Sequence, residues 1–271
     1  MIKVDINISI LFKEYPFIER FAEAARAGFE AVEFYWDKDH DAKAIAQAVL
    51  DNGLRVAAFN LDAGELQDGD RGLLNDPGPG KRMRDNLPAA FELAHKVGCR
   101  KLTALAGNLR PGEEREKQIG RIRENLSWIC EEAKAAGLTI MVEAINAFDN
   151  KFYPFTNTAD TLAFLDSVGA ANIEYLYDIY HMQRMEGNII ATLEKNIERI
   201  GHIQIADSPL RQHPGTGEIN YRRVFEAIKK CDYQGSVGLE YAANGTTEES
   251  LNWLPREHRR GIDIESLELL R

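Results

Sequence analysis

A chain of 271 residues with 44% hydrophobic content can fill one substantial core and matches the usual size of a single (β/α)8 barrel. Its formal net charge of −10 disfavours nucleic acid as a partner, because phosphate binding needs a clustered basic surface, and no apolar run reaches membrane-spanning length. The start MIKVDINISI lacks a basic region followed by an apolar core and a cleavage site, and Cys99, Cys130 and Cys231 are odd in number and far apart, so a cytoplasmic protein with reduced, packing cysteines is expected.

Apolar, β-branched runs recur at residues 4–9, 31–36, 55–61, 101–106, 139–145, 173–180, 200–206 and 235–241. Segments with helical periodicity alternate with them at 17–27, 42–52, 83–96, 113–136, 158–168, 189–199, 221–230 and 248–259. Gly28, Gly53, Gly98, Gly137 and Gly169 each stand between a helix and a strand, where a left-handed residue is cheapest as glycine. The phrases AARAGFEAVEF, VLDNGLRVAAF, AHKVGCRKLTA and AKAAGLTIMVE repeat this helix, glycine, strand grammar as an architectural repeat. Eight such units without a divergent middle favour an α/β fold with a parallel sheet closed into a single (β/α)8 TIM barrel over a doubly wound sheet. The expected organisation is one domain over 1–271, with a C-terminal extension at about 255–271. Two connections exceed what their geometry requires, 62–82 after the third strand and 207–220 after the seventh, and loops after strands lie at the catalytic face of a barrel.

Four strand ends carry a side-chain oxygen: Glu143 in TIMVEAI, Asp178 in YLYDIYH, Gln204 in HIQIAD and Glu240 in VGLEY. They are spaced 35, 26 and 36 residues apart, close to one strand plus its return helix, so the barrel would deliver all four at one end. One acid at the end of an apolar strand reads as a rim salt bridge; four oxygens at matching places read as a metal site. Three carboxylates and an amide carbonyl suit Mg²⁺ or Mn²⁺, whereas zinc prefers imidazole or thiolate. His181, three residues after Asp178, is placed either to reach a substrate oxygen or to cap the strand end. His202 shares a strand face with Gln204 but lies deeper, and reads as a satisfied core histidine. Arg211, in the loop DSPLRQHPGTGE, either forks onto a substrate carboxylate or hydroxyls or faces solvent. GTGE stands too late after its strand for a dinucleotide fingerprint, and no phosphate-binding GxxxxGKS occurs.

Taken together, VEAIN, YDIYHMQRMEG, HIQIAD, PGTGEINY and GLEY resemble the hydroxypyruvate isomerase family within the xylose isomerase-like TIM barrels, from the first strand to about Trp253. The resemblance implies that Glu143 and Glu240 are the proton donor and acceptor pair and that Glu143, Asp178, Gln204 and Glu240 surround the ion. Related ketose 3-epimerases usually have histidine at the third ligand, so Gln204 points to the isomerase branch. The implied reaction is an aldose–ketose isomerisation of a small hydroxy-oxo acid through a cis-enediolate, of the type hydroxypyruvate to tartronate semialdehyde. The chain departs from the family at Ala144, where proline is usual, at SPLRQHPG, where an acid commonly stands near His213, and in its longer tail; these departures bear on substrate identity. Competing readings are a ketose 3-epimerase or an isomerase of a four-carbon oxo acid or free sugar, a metal-dependent endonuclease, which would need several histidines, and a non-catalytic sugar-acid-binding barrel. An acidic surface with helices outside a barrel is compatible with a dimer or tetramer.

Overall fold

A computed structural model describes residues 1–36, 40–78 and 81–267. Its parallel strands are β1 (Ile2–Asn7), β2 (Ala31–Tyr35), β3 (Arg55–Asn60), β4 (Lys101–Thr103), β5 (Thr139–Glu143), β6 (Ile173–Asp178), β7 (Ile200–Ile205) and β8 (Ser236–Leu239). Neighbours in sequence pair throughout, and β1 pairs with both β2 and β8, so the sheet closes into the expected barrel. The helices α1 (Glu19–Ala27), α2 (Ala42–Asp51), α3 (Lys81–Val97), α4 (Arg115–Ala135), α5 (Thr158–Val168), α6 (Ile179–Met185), α7 (Ile189–Asn196), α8 (Tyr221–Lys230) and the single turn α9 (Thr247–Ser250) lie between or after the strands. The five helix-closing glycines all have positive φ, from 62° at Gly53 to 103° at Gly28.

Strand alternation separates two environments. On β7, Ile203 and Ile205 join the apolar core that also takes in the helices, while His202 and Gln204 face the barrel interior. That interior is polar except for a small plug of Ala58, Met141 and Leu176. Gly238, in register with Gln204, leaves space for the Glu33 carboxylate, which a Cβ would meet at 2.9 Å.

Several strands stop earlier than their apolar runs. The run 101–106 forms a strand only to Thr103, yet Ala104, Leu105 and Ala106 remain buried, so burial beneath the loops prolongs the apolar signal past the last ladder bond. The run 173–180 ends as strand at Asp178, whose carboxylate accepts the Tyr180 and His181 N–H groups and starts α6 there. The helix expected over 248–259 is reduced to α9 and a 3₁₀ turn at Arg256–His258, because Pro255 interrupts it.

The tail does more than extend the chain. A short strand β9 (Gly261–Ile262) runs antiparallel to β1, pairing Lys3 with Gly261 on the edge opposite Ser236 of β8. Since β2 takes that same edge only at Ile6 and Asn7, β9 covers the start of β1 where the seam would otherwise be open. Residues 268–271 of the expected extension, and Pro79 and Gly80 of the first long loop, lie outside the described residues. Among the described residues no helix is long and apolar enough to cross a membrane.

Candidate metal and active site

The four sequence-predicted oxygens meet at one mouth of the barrel. Asp178 is in register with Gln204, Gln204 with Gly238, and the Glu240 N–H continues the ladder to Ile205. Glu143 closes β5 one strand away from β6. All four side chains are buried. Gln204 Nε2 lies 3.2 Å from Glu240 Oε1, and His181 Nε2 stands 3.6 Å from Glu143 Oε1 and 3.5 Å from Asp178 Oδ2. Ligand atoms of Glu143, Asp178 and His181 lie within 4.8 Å of one another.

Two buried atoms test whether this donor set fits a hard cation. Asp178 Oδ1 accepts the α6 amides, but Oδ2 has no hydrogen-bond partner. Gln204 Nε2 donates to Glu33 Oε1 at 2.9 Å as well as to Glu240, which leaves its carbonyl Oε1 equally unpartnered. Buried acceptors are rarely left so, and a carboxylate oxygen and an amide oxygen on adjacent strands are ligands that a divalent cation takes. Glu33 therefore decides which end of the Gln204 amide faces the site, since a carboxylate can only accept.

The carboxylates are held in unlike ways. Glu240 Oε1 receives Tyr35 Oη at 2.6 Å, Asn7 Nδ2 at 3.1 Å and Gln204, and Oε2 receives Arg211 Nη2 at 2.5 Å. Among the described residues Glu143 has no hydrogen bond to its carboxylate, only the longer approach of His181. Burial pushes Glu143 well above the usual carboxylate range, and Glu240 and Asp178 add to it. Burial also pushes Glu240 up to about 7, with Arg211 opposing and Asp178 and Glu33 adding. Asp178 is raised by burial against the pull of Arg211. A cation among these three groups would lower all of them.

His181 is neutral: burial, then the Arg211, Arg184 and Arg71 charges, push its pKa well below the ordinary range. Nδ1 faces the Asn146 backbone N–H at 3.3 Å and side chain at 2.6 Å, so the ring proton sits on Nε2, between Glu143 and Asp178. Arg211 points into the site, although 31% of its side chain stays exposed. It pairs with Glu240, lies 3.7 Å from Asp178 Oδ2, and adopts φ 55° in a loop organised by Asp207. That carboxylate accepts four backbone N–H groups, from Ser208, Gly215, Gly217 and Ile219.

Sequence reasoning missed a supporting layer. Asn7, Glu33 and Tyr35 position Glu240 and Gln204, and His202, as expected for a satisfied core histidine, bonds Glu33 Oε2 at 2.7 Å with Asp5 Oδ2 at 4.0 Å. Glu33 in AVEFY carries the same signal that marked Glu143, a carboxylate inside an apolar strand. Asn7 and Tyr35 carry none. Above these groups lies a cavity of about 250 Å³, lined by Tyr35, Arg71, Glu143, His181, Arg211 and Glu240 among others. Most drug-sized ligands occupy pockets of about 300–1,000 Å³, so this one suits a molecule of few carbons.

Residues 21–257 match the family model described as xylose isomerase-like TIM barrel. The chain is 39% identical to hydroxypyruvate isomerase of Escherichia coli over 94% of its length and 98% of the relative's. It is 36% identical to 2-oxo-tetronate isomerase of Cupriavidus necator, over 92% and 95% of the two chains. A solved structure from Brucella melitensis described as AP endonuclease, family 2, superposes with a TM-score of 0.88 at 33% identity, covering 93% of this chain and 98% of that one. The chain belongs to the hydroxypyruvate isomerase family of xylose isomerase-like TIM barrels. It is an enzyme of the aldose–ketose isomerase type.

Proposed function

We propose that this enzyme isomerises a small hydroxy-oxo acid, hydroxypyruvate to tartronate semialdehyde or its four-carbon homologue, with Mg²⁺ or Mn²⁺ held by Glu143, Asp178, Gln204 and Glu240. The observation that carries the reading is the pair of buried, unpartnered acceptors Asp178 Oδ2 and Gln204 Oε1 beside two carboxylates at one strand-end mouth. When bound, the ion supplies Lewis-acid polarisation of the substrate's carbonyl and hydroxyl oxygens, which acidifies the adjoining C–H.

The residues then divide the proton work. Glu240, held by four donors, is the oriented carboxylate; Glu143, whose carboxylate accepts no hydrogen bond among the described residues, is its partner in proton transfer. One removes the proton from the carbon bearing the hydroxyl, leaving a cis-enediolate, and a proton returns to the former carbonyl carbon. The hydroxyl proton shifts to the neighbouring oxygen, where the Nε2–H of His181 and the guanidinium of Arg211 are placed to bind substrate oxygens. Overall one hydrogen moves from carbon to the neighbouring carbon and one from oxygen to the neighbouring oxygen, so no redox partner is needed.

A nuclease reading, which the description of the Brucella structure raises, is poorly supported by this site. Each of the two metal-capable groups among the described residues contains one histidine, and the chain carries ten excess negative charges. The proposal is tested by chelating the protein and restoring Mg²⁺ or Mn²⁺, beside a Glu240→Gln variant. Metal-free protein should be inactive and recover on addition, and Glu240→Gln should keep its circular dichroism while losing about 10²–10⁴ in kcat. Full activity after chelation, or near-normal turnover by the variant, would sink the reading.

A further inference from the structure

An oxo acid carries a negative charge that a free ketose lacks, and Glu143, Asp149 and Glu240 line the cavity, so a cation standing apart from the ion site would favour the acid. Two guanidinium groups line the cavity, Arg71 and Arg211. Arg211 is directed inward onto Glu240 and Asp178, so its charge is shared with the proton-transfer machinery. Arg71 is held otherwise. Its Nε donates to Asn150 Oδ1 and its Nη1 to the Leu66 and Asp70 carbonyls, which are all neutral acceptors. Among the described residues no carboxylate pairs with Arg71, and its Nη2 has no partner.

The backbone beneath it is fixed. Gly107 N–H donates to the Arg71 carbonyl at 2.8 Å, which ties the loop after β3 to the loop after β4, and Gly72 N–H donates to the Ala63 carbonyl at 2.9 Å within the first of these loops. Through Asn150 the side chain also reaches the loop after β5. A guanidinium braced on two sides loses little freedom when it takes a ligand.

We propose that Arg71 is the carboxylate-binding, specificity-determining residue of this site, and that it selects oxo acids over neutral sugars of the same length. The assignment rests on the isomerase reading above. Arg71 takes the substrate carboxylate through its unpaired edge, while the carbonyl and hydroxyl at the other end of the molecule meet the Glu143 and Glu240 pair.

The test uses the metal-loaded enzyme and its Arg71→Gln and Arg71→Lys variants. Hydroxypyruvate is the substrate, and dihydroxyacetone, which has CH₂OH in place of the carboxylate, is the competitive inhibitor. Arg71→Gln should raise KM for hydroxypyruvate about 30- to 100-fold with kcat within about 3-fold, as expected for loss of a charge-assisted pair used equally in the ground and transition states. Arg71→Lys should restore part of the loss. The dihydroxyacetone inhibition constant and the Tm should be unchanged by either substitution. An unaltered KM in Arg71→Gln, or equal weakening of both ligands, overturns the role of Arg71 while leaving the isomerase reading intact. Wild-type enzyme that converts neutral ketoses and no oxo acid overturns both.

Discussion

Asp5 shows how much of the barrel interior is an electrostatic compromise. Burial pushes its carboxyl up to about 7, with His202 opposing and Glu33 adding, and Ser236 Oγ donates to Oδ2 while Oδ1 stays unpartnered. Between the ordinary value of 3.8 and about 7 the folded protein therefore binds a proton that the unfolded chain has lost, so stability falls as pH rises through that window and levels above it. His202 works in the same direction: burial opposes its charge, but Asp5 and Glu33 raise its pKa above 6.5, so its contribution is present at low pH and lost as pH rises through the raised value. Each pH unit over which the two states differ by one proton is worth about 1.4 kcal/mol. Between pH 4.5 and 8, wild-type protein should lose at least about 1.4 kcal/mol more stability than Asp5→Asn in denaturant unfolding. Parallel pH profiles for the two proteins would refute this account. At this scale the ligands were legible and their supports only partly so. A carboxylate in an apolar strand advertises its cost, as at Glu143 and Glu33, whereas Asn7 and Tyr35 cost little wherever they stand.

The elements that aim the site are the segments just after the strands. Asp178 closes β6 and caps α6 with one oxygen, which turns its other oxygen to the mouth and sets His181 in the first helical turn. The apolar run 173–180 hid that junction, because Ile179 and Tyr180 are as buried as strand residues. The loop after β7 is similarly self-organised: four N–H groups converge on Asp207, and Gly217 approaches so closely that a Cβ there would meet the Ser208 carbonyl at 1.9 Å. Arg211 hangs from this loop, its carbonyl accepting from Ala242 at 2.7 Å. Asp207→Ala leaves these donors without an acceptor at about 1–3 kcal/mol for each one kept from water. The variant should keep the circular dichroism of the barrel, become cleavable by protease within 208–219, and bind substrate at least about 10-fold more weakly as Arg211 loses its place. Resistance to cleavage with normal KM would show that the loop is held by other contacts.

For the whole molecule, closure is the governing fact. β1 joins β8 along most of its length, β2 at its end and β9 at its start, so the two ends of the described chain meet in one ladder, and Ile262, Ile264 and Leu267 are buried with the core. We propose that 1–271 unfolds as one unit. Urea denaturation should give a single transition by fluorescence and circular dichroism alike, and Mn²⁺ at about 100 times its Kd should stabilise the protein by about 2.7 kcal/mol. Two separated transitions would defeat the single-unit proposal, and a midpoint indifferent to metal would count against the ion site. The sequence by itself determined the alternation of strands and helices, the barrel class, the four strand-end oxygens and the family, because each is written in local periodicity, in spacing or in short specific phrases. The tertiary structure alone decided that Glu33 orients Gln204, that Arg211 turns inward and that Arg71 makes no ion pair with a described carboxylate. Those facts depend on contacts such as Glu33 to Gln204, 171 residues apart, which exist only once the barrel has closed and which no local pattern encodes.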